Sequence, residues 1–75
     1  MEERLKETIS GTLGLVKEVI KLDSSLVEEL KVDELDRVEL TFALEEEFNI
    51  QISDEESEEW ITVGDIFKTI QEKMK

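Results

Sequence analysis

The chain has 75 residues and contains no Cys, His or Pro, with 21 Asp and Glu residues against nine Lys and Arg residues, for a net charge of −12 at pH 7. A chain of this length forms one domain, residues 1–75, around a small core. The lack of Cys and His excludes disulfides, thiolate metal sites and the commonest general base, and no apolar run reaches the roughly 18 residues that a membrane span needs.

The first predicted helix runs from Glu2 to Leu13, because Leu5, Ile9 and Leu13 recur every four residues. The following segment, residues 15–32, is interrupted by the DSS triplet at residues 23–25, whose side chains favour turns. We therefore expect a long ordered loop with a short helical turn over residues 26–30.

The second predicted helix runs from Leu35 to Phe48, with Asp33 as its cap. Its apolar positions are numerous enough for burial on more than one side, and they are Leu35, Val38, Leu40, Phe42, Ala43, Leu44 and Phe48. The spacing predicts that Val38, Leu44 and Phe48 face inward while the carboxylates face outward.

The third predicted helix is a short acidic turn over residues 54–59, capped by Ser53 or Asp54. Residues 48–53 alternate like a strand, but with no second strand to pair they are expected to form an extended loop. The fourth helix runs from Val63 to Met74, with Thr62 and Asp65 as a capping pair. Together these elements predict an all-α fold, a small four-helix bundle, with Trp60 packed in its core or at the rim of the core.

The residues give no support for an enzyme. The serines have no His to activate them, and carboxylates are so abundant that a catalytic pair cannot be singled out. The acidic run at residues 54–59 lacks the alternating ligands and central Gly of a calcium loop, and the glycines are scattered rather than arranged to bind phosphate. We therefore predict a protein that is not an enzyme and holds no metal.

The negative charge is concentrated in residues 33–59, which we call the acidic segment. It contains twelve acids and one base, Arg37, for a net charge of −11, whereas residues 1–32 carry −2 and residues 60–75 carry +1. Such a segment repels nucleic acid and anionic membranes, and its natural complement is a basic protein surface. The residues alone thus indicate a small acidic helical module that docks basic partners.

The chain also resembles the acyl carrier protein family from about residue 2 to residue 70, without gaps. The most specific part is D-x-L-D-x-V-E-L at residues 33–40, followed by A-L-E-E-E-F at residues 43–48. The resemblance implies a four-helix bundle with a long loop between helices one and two and a short third helix. It also implies a carrier of acyl chains in fatty acid or polyketide synthesis, which holds the chain on a 4′-phosphopantetheine arm.

The resemblance further implies roles for individual residues. Docking of basic enzymes would involve residues of the second and third helices, namely Asp33, Leu35, Asp36, Val38, Glu39, Glu45, Glu46 and Asp54. The acyl-binding core would involve Leu44, Ile52, Trp60 and Ile66. For Val38 the two interpretations differ, since its spacing predicts burial and the resemblance predicts docking.

One departure from the family pattern bears on function. The arm is attached to the serine of an Asp-Ser-Leu motif, and this position is Glu34, whose carboxylate has no hydroxyl to form a phosphodiester. As written, the chain is therefore expected to carry no arm, and Ser24 and Ser25 fall where the family attaches none. Other departures are Lys31 for a usual glycine, Ser53 for a usual proline, Arg37 as an added positive charge, and the larger side chains of Trp60 and Ile66.

Three readings of Glu34 stay open. The chain is a carrier whose serine has been replaced by design, a natural carrier-like protein that has lost the arm, or an acidic module unrelated to acyl transfer. In each case we expect a cytoplasmic monomer that binds basic-patched enzymes and neither binds nucleic acid nor inserts into membranes.

Overall fold

The computed structural model describes residues 1–74 and contains four α-helices. These are α1 (Glu2–Leu13), α2 (Glu34–Phe48), α3 (Asp54–Glu58) and α4 (Val63–Lys73). Within the described residues there is no strand, and the one β-bridge joins Ser25 to Thr62. The predicted all-α bundle is confirmed, including the long connection between α1 and α2, the short α3 and the extended loop before it.

Each of the last three helices begins at a side-chain cap. Asp33 caps α2, Ser53 caps α3 and Thr62 caps α4, and each is paired with an acidic residue three positions later in a capping box. A capping box satisfies backbone N–H groups that have no partner inside the helix. The caps predicted for α2 and α4 are confirmed, and of the two candidates for α3 the cap is Ser53.

Three residues adopt left-handed backbone conformations where the chain changes direction. Gly14 ends α1 with φ of 70°, Asn49 ends α2 with φ of 54°, and Lys31 has φ of 59° in the loop before α2. This conformation is natural for Gly at a helix end but costs a residue with a Cβ about 1 kcal/mol. Lys31 therefore places a side chain where a glycine, the residue usual in the resembling family, would be unstrained.

The core draws on every helix and on the loop. Its buried apolar side chains are Leu5, Ile9, Ile20, Leu26, Leu30, Val32, Leu40, Leu44, Phe48, Ile52, Trp60, Val63, Ile66 and Ile70. Trp60 is 2% exposed, which confirms its prediction as a core residue. Its indole N–H donates to the Thr69 hydroxyl at 3.0 Å, so the polar end of the ring is satisfied inside the protein.

The long loop is ordered because its backbone bonds to the start of α4. The Leu26 N–H donates to the Ile61 carbonyl at 2.9 Å, and the Gly64 N–H donates to the Leu22 carbonyl at 2.7 Å. A Cβ at position 64 would lie 3.0 Å from that carbonyl oxygen, so the close approach requires Gly. The helical turn predicted over residues 26–30 is present as a hydrogen-bonded turn, whereas the short 3-10 helix Lys17–Val19 was not predicted.

Arg4 of α1 contacts the carboxyl-terminal end of α2. Its guanidinium lies 4.7 Å from the ring centre of Phe48, and its Nε donates to the Glu47 carboxylate at 2.6 Å. A second nitrogen of Arg4 donates to the Glu47 carbonyl in the last turn of α2. No helix within residues 1–74 has the length and apolar character to span a membrane.

Candidate functional site

The amino terminus of α2 is built by two aspartates. The Asp36 N–H donates to the Asp33 carboxylate at 2.8 Å, and the Asp33 N–H faces the Asp36 carboxylate at 3.4 Å. Glu34 is the first residue of the helix and its side chain is exposed. A carboxylate here is favoured by the positive end of the helix dipole. Position 34 is therefore a stable helix start that presents a negative charge to solvent.

An apolar row faces solvent along α2. Leu35, Val38 and Phe42, which we call the outer row, are 68%, 47% and 64% exposed. Their spacing of three and four residues places them on one side of the helix, while Leu40, Leu44 and Phe48 point into the core. The expectation that α2 is buried on more than one side, with Val38 inward, is wrong. The core has room for one row of α2, and the second row is left uncovered.

The carboxylates assigned to docking fall into two groups. Asp33, Glu39, Glu46 and Asp54 are exposed. The other two are half-buried and hold backbone groups. Asp36 completes the α2 cap, and Glu45 accepts a hydrogen bond from the Ile52 N–H at 2.8 Å. These two carboxylates therefore stabilise the fold as well as adding negative charge.

Most carboxylates of the acidic segment have no cationic partner within 4 Å. Among residues 1–74, the ion pairs that involve the segment are Arg4–Glu47 at 2.6 Å and Lys73–Glu56 at 2.8 Å. The bond to Lys73, and then the bond from the Ser53 N–H, hold the pKa of Glu56 below its ordinary value. The remaining carboxylates keep their negative charges available to an external partner.

A groove lies between α2 and α3 and encloses about 640 Å³. Its floor is formed by the buried side chains of Val32 and Ile52, and Val27, Val38 and Phe42 add apolar surface to its walls. Carboxylates surround it, contributed by Asp33, Glu34, Glu45, Asp54 and Glu58. Of the docking positions, Asp33, Val38, Glu45 and Asp54 border this groove, and of the outer row Val38 and Phe42 do. The sequence did not reveal the groove because Val27 and Val32 belong to the loop.

The residues assigned to an acyl-binding core are all buried, but they do not form one lining. Leu44, Trp60 and Ile66 lie within the packed core, and Ile52 is the one that also borders the groove. No buried side-chain nitrogen or oxygen in residues 1–74 lacks a hydrogen-bond partner. The buried polar side-chain atoms of these residues are thus satisfied, and the assignment of Leu44, Ile52, Trp60 and Ile66 to acyl binding stays a prediction.

The hydroxyl groups near position 34 do not fit the attachment of a phosphopantetheine arm. Glu34 itself has none. The two that line the groove belong to Thr41 and Ser57, and both donate to backbone carbonyls, that of Ser57 from a buried position. In the loop, Ser24 is 1% exposed and is bonded to the backbone of Lys21 and Val19.

Metal binding finds no support either. Within the part of the chain that the structure describes, no group of three or more carboxylates could hold a metal ion. Of the acidic residues of α3, Glu56 serves in the capping box and in the ion pair with Lys73.

Comparison with known proteins identifies the same family as the sequence motifs, over nearly the whole chain. Residues 3–70 match the family described as Phosphopantetheine attachment site. An acyl carrier protein of Buchnera aphidicola is 49% identical over 70 residues, which cover 93% of this chain and 90% of that protein. An acyl carrier protein of Chlamydia trachomatis serovar D is 44% identical over 73 residues, which cover 97% of this chain and 95% of the relative.

These matches confirm the resemblance seen in the sequence and support a place in acyl-chain biosynthesis. Acyl carrier proteins are carriers and not enzymes, so the prediction that this chain is not an enzyme is confirmed by its relatives. The interpretation as an unrelated acidic module required that the chain share only its fold with these proteins. Sequence identity of 49% and 44% goes beyond a shared fold. By sequence and by architecture, the chain belongs to the acyl carrier protein family, whose members bind phosphopantetheine.

Proposed function

We propose that this chain is an arm-less member of the acyl carrier family that docks basic enzymes of acyl-chain synthesis or transfer through α2 and α3. The observation that carries the proposal is the outer row, three large apolar side chains exposed among carboxylates most of which have no cationic partner within residues 1–74. Monomeric proteins seldom leave such a contiguous apolar row uncovered unless a partner covers it.

The two components of this surface suit different stages of association. The net charge of −11 on the acidic segment attracts a basic partner and raises its rate of encounter. The outer row then supplies apolar area that is desolvated on contact, and buried apolar anchors carry most of the affinity of an interface. Fast capture with modest affinity is suited to a protein that visits several enzymes in turn.

Glu34 determines whether the docked chain can carry an acyl group. A carboxylate cannot form the phosphodiester that holds an arm, and the neighbouring hydroxyls are bonded to the backbone. The docked chain would therefore occupy the partner's carrier site without presenting cargo, and it would act as an interaction or regulatory subunit. This consequence is the same whether Glu34 is natural or was introduced by design.

The same charge supports two further parts of the proposal. At net −12 on 75 residues, copies of the chain repel one another, which favours a monomer. We place the protein in the cytoplasm, where enzymes of acyl-chain synthesis would meet it.

The experiment that tests the proposal is treatment with a phosphopantetheinyl transferase and coenzyme A, followed by intact mass measurement. We expect no mass change for the chain itself and a gain of one arm for Glu34→Ser, because Asp33, Leu35 and Asp36 remain to receive the transferase. Glu34→Ala is the matched control, since it removes the charge without supplying a hydroxyl, and it should stay unmodified.

The outcomes test separately the absence of an arm and the docking of a carrier enzyme on α2. A mass gain in the unaltered chain would overturn the arm-less reading. An unmodified Glu34→Ser variant that is folded by circular dichroism would show that the surface around α2 no longer docks a carrier enzyme.

A further inference from the structure

Arg37 is the one basic residue of the acidic segment and it borders the groove between α2 and α3. Its guanidinium donates to the Ser57 carbonyl at 2.5 Å and to the Trp60 carbonyl at 3.2 Å. Within residues 1–74, no carboxylate oxygen lies within 4 Å of its nitrogens, although several acids line the same groove. Arg37 is thus engaged across the groove and not with its acidic neighbours.

These two bonds satisfy the carboxyl-terminal end of α3. Carbonyls in the last turn of a helix have no partner within the helix, and they carry the negative end of its dipole. Ser57 lies in that turn and Trp60 lies two residues beyond α3. Both bonds come from the same terminal nitrogen of Arg37, Nη1, which carries two hydrogens and can bond both carbonyls at once. The Ser57 carbonyl also accepts the Trp60 N–H at 3.3 Å, so Arg37 adds a charged donor to an acceptor at the negative end of α3.

Helix α3 depends on such contacts because it has five residues, too few to be stable alone. Its other side-chain attachments lie elsewhere. The bond from the Ile52 N–H to Glu45 holds the segment that precedes α3, and the Lys73–Glu56 pair lies at the surface, where an ion pair contributes little. Arg37 is the attachment that crosses the groove to the far end of α3.

We propose that Arg37 is a latch that holds α3 against α2 above the floor formed by Val32 and Ile52, and that it thereby keeps apolar molecules out of the core through the groove. When the latch is broken, α3 moves away from α2 and the floor becomes accessible. The proposal goes beyond docking and does not depend on the residue at position 34. It makes Arg37 the residue that determines whether this fold can admit an apolar ligand.

The chain provides its own reporter for the latch, since Trp60 is its sole tryptophan and is 2% exposed. In Arg37→Ala we expect acrylamide, a neutral quencher, to quench Trp60 fluorescence several-fold more efficiently than in the unaltered protein. Hydrogen exchange at the Ser57 and Trp60 amides should become roughly tenfold faster, as the loss of two bonds to a charged donor allows α3 to open locally. The unaltered protein should not take up N-phenyl-1-naphthylamine, a neutral apolar dye, whereas Arg37→Ala should bind it.

Arg4→Ala is the matched control. Arg4 is the other arginine of the chain, and it also donates to a backbone carbonyl in the last turn of a helix, that of Glu47 in α2. Its loss should loosen α1 against α2 while leaving Trp60 quenching and exchange at residues 57–60 unchanged. An increase in Arg4→Ala equal to that in Arg37→Ala would overturn the latch, because general destabilisation would then explain both.

Two more outcomes decide the proposal. Quenching and exchange in folded Arg37→Ala equal to those of the unaltered protein would overturn it, and so would faster quenching without dye binding, since the latch would then guard no apolar site. If Arg37→Ala does not fold by circular dichroism, Arg37→Lys supplies the test. Lys keeps the charge, but its side chain is one bond shorter, so its ammonium cannot take the place of Nη1 between the two carbonyls and quenching should still rise above that of the unaltered protein. No rise in Arg37→Lys would overturn the latch.

Discussion

The acidic segment, residues 33–59, and its flanks, residues 1–32 and 60–74, differ in charge balance, since the segment holds twelve acids and one base and the flanks hold nine acids and seven bases. In the flanks, Glu2 pairs with Lys6 at 3.1 Å, Glu3 pairs with Lys17, and Asp65 accepts bonds from two backbone N–H groups. In the acidic segment, two of the twelve carboxylates form ion pairs within the described residues, and both pair with cations of the flanks.

The two regions also differ in how their exposed apolar side chains are arranged. The flanks expose apolar residues such as Val16, Val27 and Ile61, whereas the acidic segment exposes three in one row along a helix. The outer row of the acidic segment is exposed, although the opposite side of the same helix is fully packed. The flanks, which include the loop, contribute side chains such as Leu5, Ile9 and Ile70 that are completely buried. The comparison indicates that the acidic segment is set apart by its shortage of cations and by its ordered row of exposed apolar side chains, the two features on which the proposed docking rests.

The largest expected effect separates the two sides of α2. Leu44→Ala removes a fully buried side chain, and we expect it to lower the free energy of unfolding by about 2–5 kcal/mol. Phe42→Ala, two positions away and mostly exposed, should change it by less than about 0.5 kcal/mol. Urea unfolding followed by circular dichroism measures both values. Comparable losses in the two variants would mean that the outer row packs within the protein and is not available to a partner.

A second prediction concerns the bonded carboxylates of the flanks. The Ile61 N–H, and then the Thr62 N–H, donate to Asp65 and hold its pKa below the ordinary value of 3.8. A lowered folded-state pKa means that this stabilisation is complete above pH 3.8 and is lost as the pH falls through the lower folded value. Asp65→Asn should therefore be less stable at neutral pH, by about 1 kcal/mol for a bond to a charged, partly solvated group.

The pH dependence distinguishes this effect from simple damage to α4. The difference in melting temperature between Asp65→Asn and the unaltered protein should narrow once the pH lies well below 3.8, because the side chain at position 65 is then neutral in both proteins. Thermal unfolding over a series of pH values measures it. A difference that stays constant into strong acid would show that the charge of Asp65 contributes nothing.

The sequence predicts the helices well because their signals are local. Capping residues such as Asp33 and Thr62 act within three positions of themselves, and the predicted helix bounds agree with the structure to within one residue. The sidedness of α2 was not predictable in this way. Both of its apolar rows have helical spacing, and which row is covered depends on elements distant in sequence.

The same limit applies to the candidate site. Glu34 could be singled out from the sequence because a motif fixes its position. The bonds of Arg37 to Ser57 and Trp60 span 20 and 23 residues, and nothing in the neighbourhood of Arg37 specifies them. The positive charge of Arg37 is evident from the sequence, but the two carbonyls to which Arg37 donates are not.

The smallest expected effect is the dependence of stability on salt. The molecule measures 28 × 23 × 19 Å, so at about 0.01 M salt, where the screening length is about 30 Å, every unpaired carboxylate is repelled by all the others. At about 0.1 M the screening length falls to about 10 Å, and repulsion is confined to near neighbours. We expect a gain of about 0.5 kcal/mol, which raises the melting temperature by roughly 2–4 °C for a domain of this size.

Two single substitutions, each of which removes one negative charge, test whether this repulsion arises in the acidic segment. Glu39→Gln removes an exposed carboxylate that has no ion pair in the described structure, so it should raise the melting temperature at low salt and weaken its salt dependence. Glu3→Gln removes a carboxylate whose pKa is lowered, first by its hydrogen bond to Lys17, and should lower the melting temperature under the same conditions. Because both variants reduce the net charge by one, a rise in both would mean that total charge, and not its concentration in the acidic segment, sets the stability.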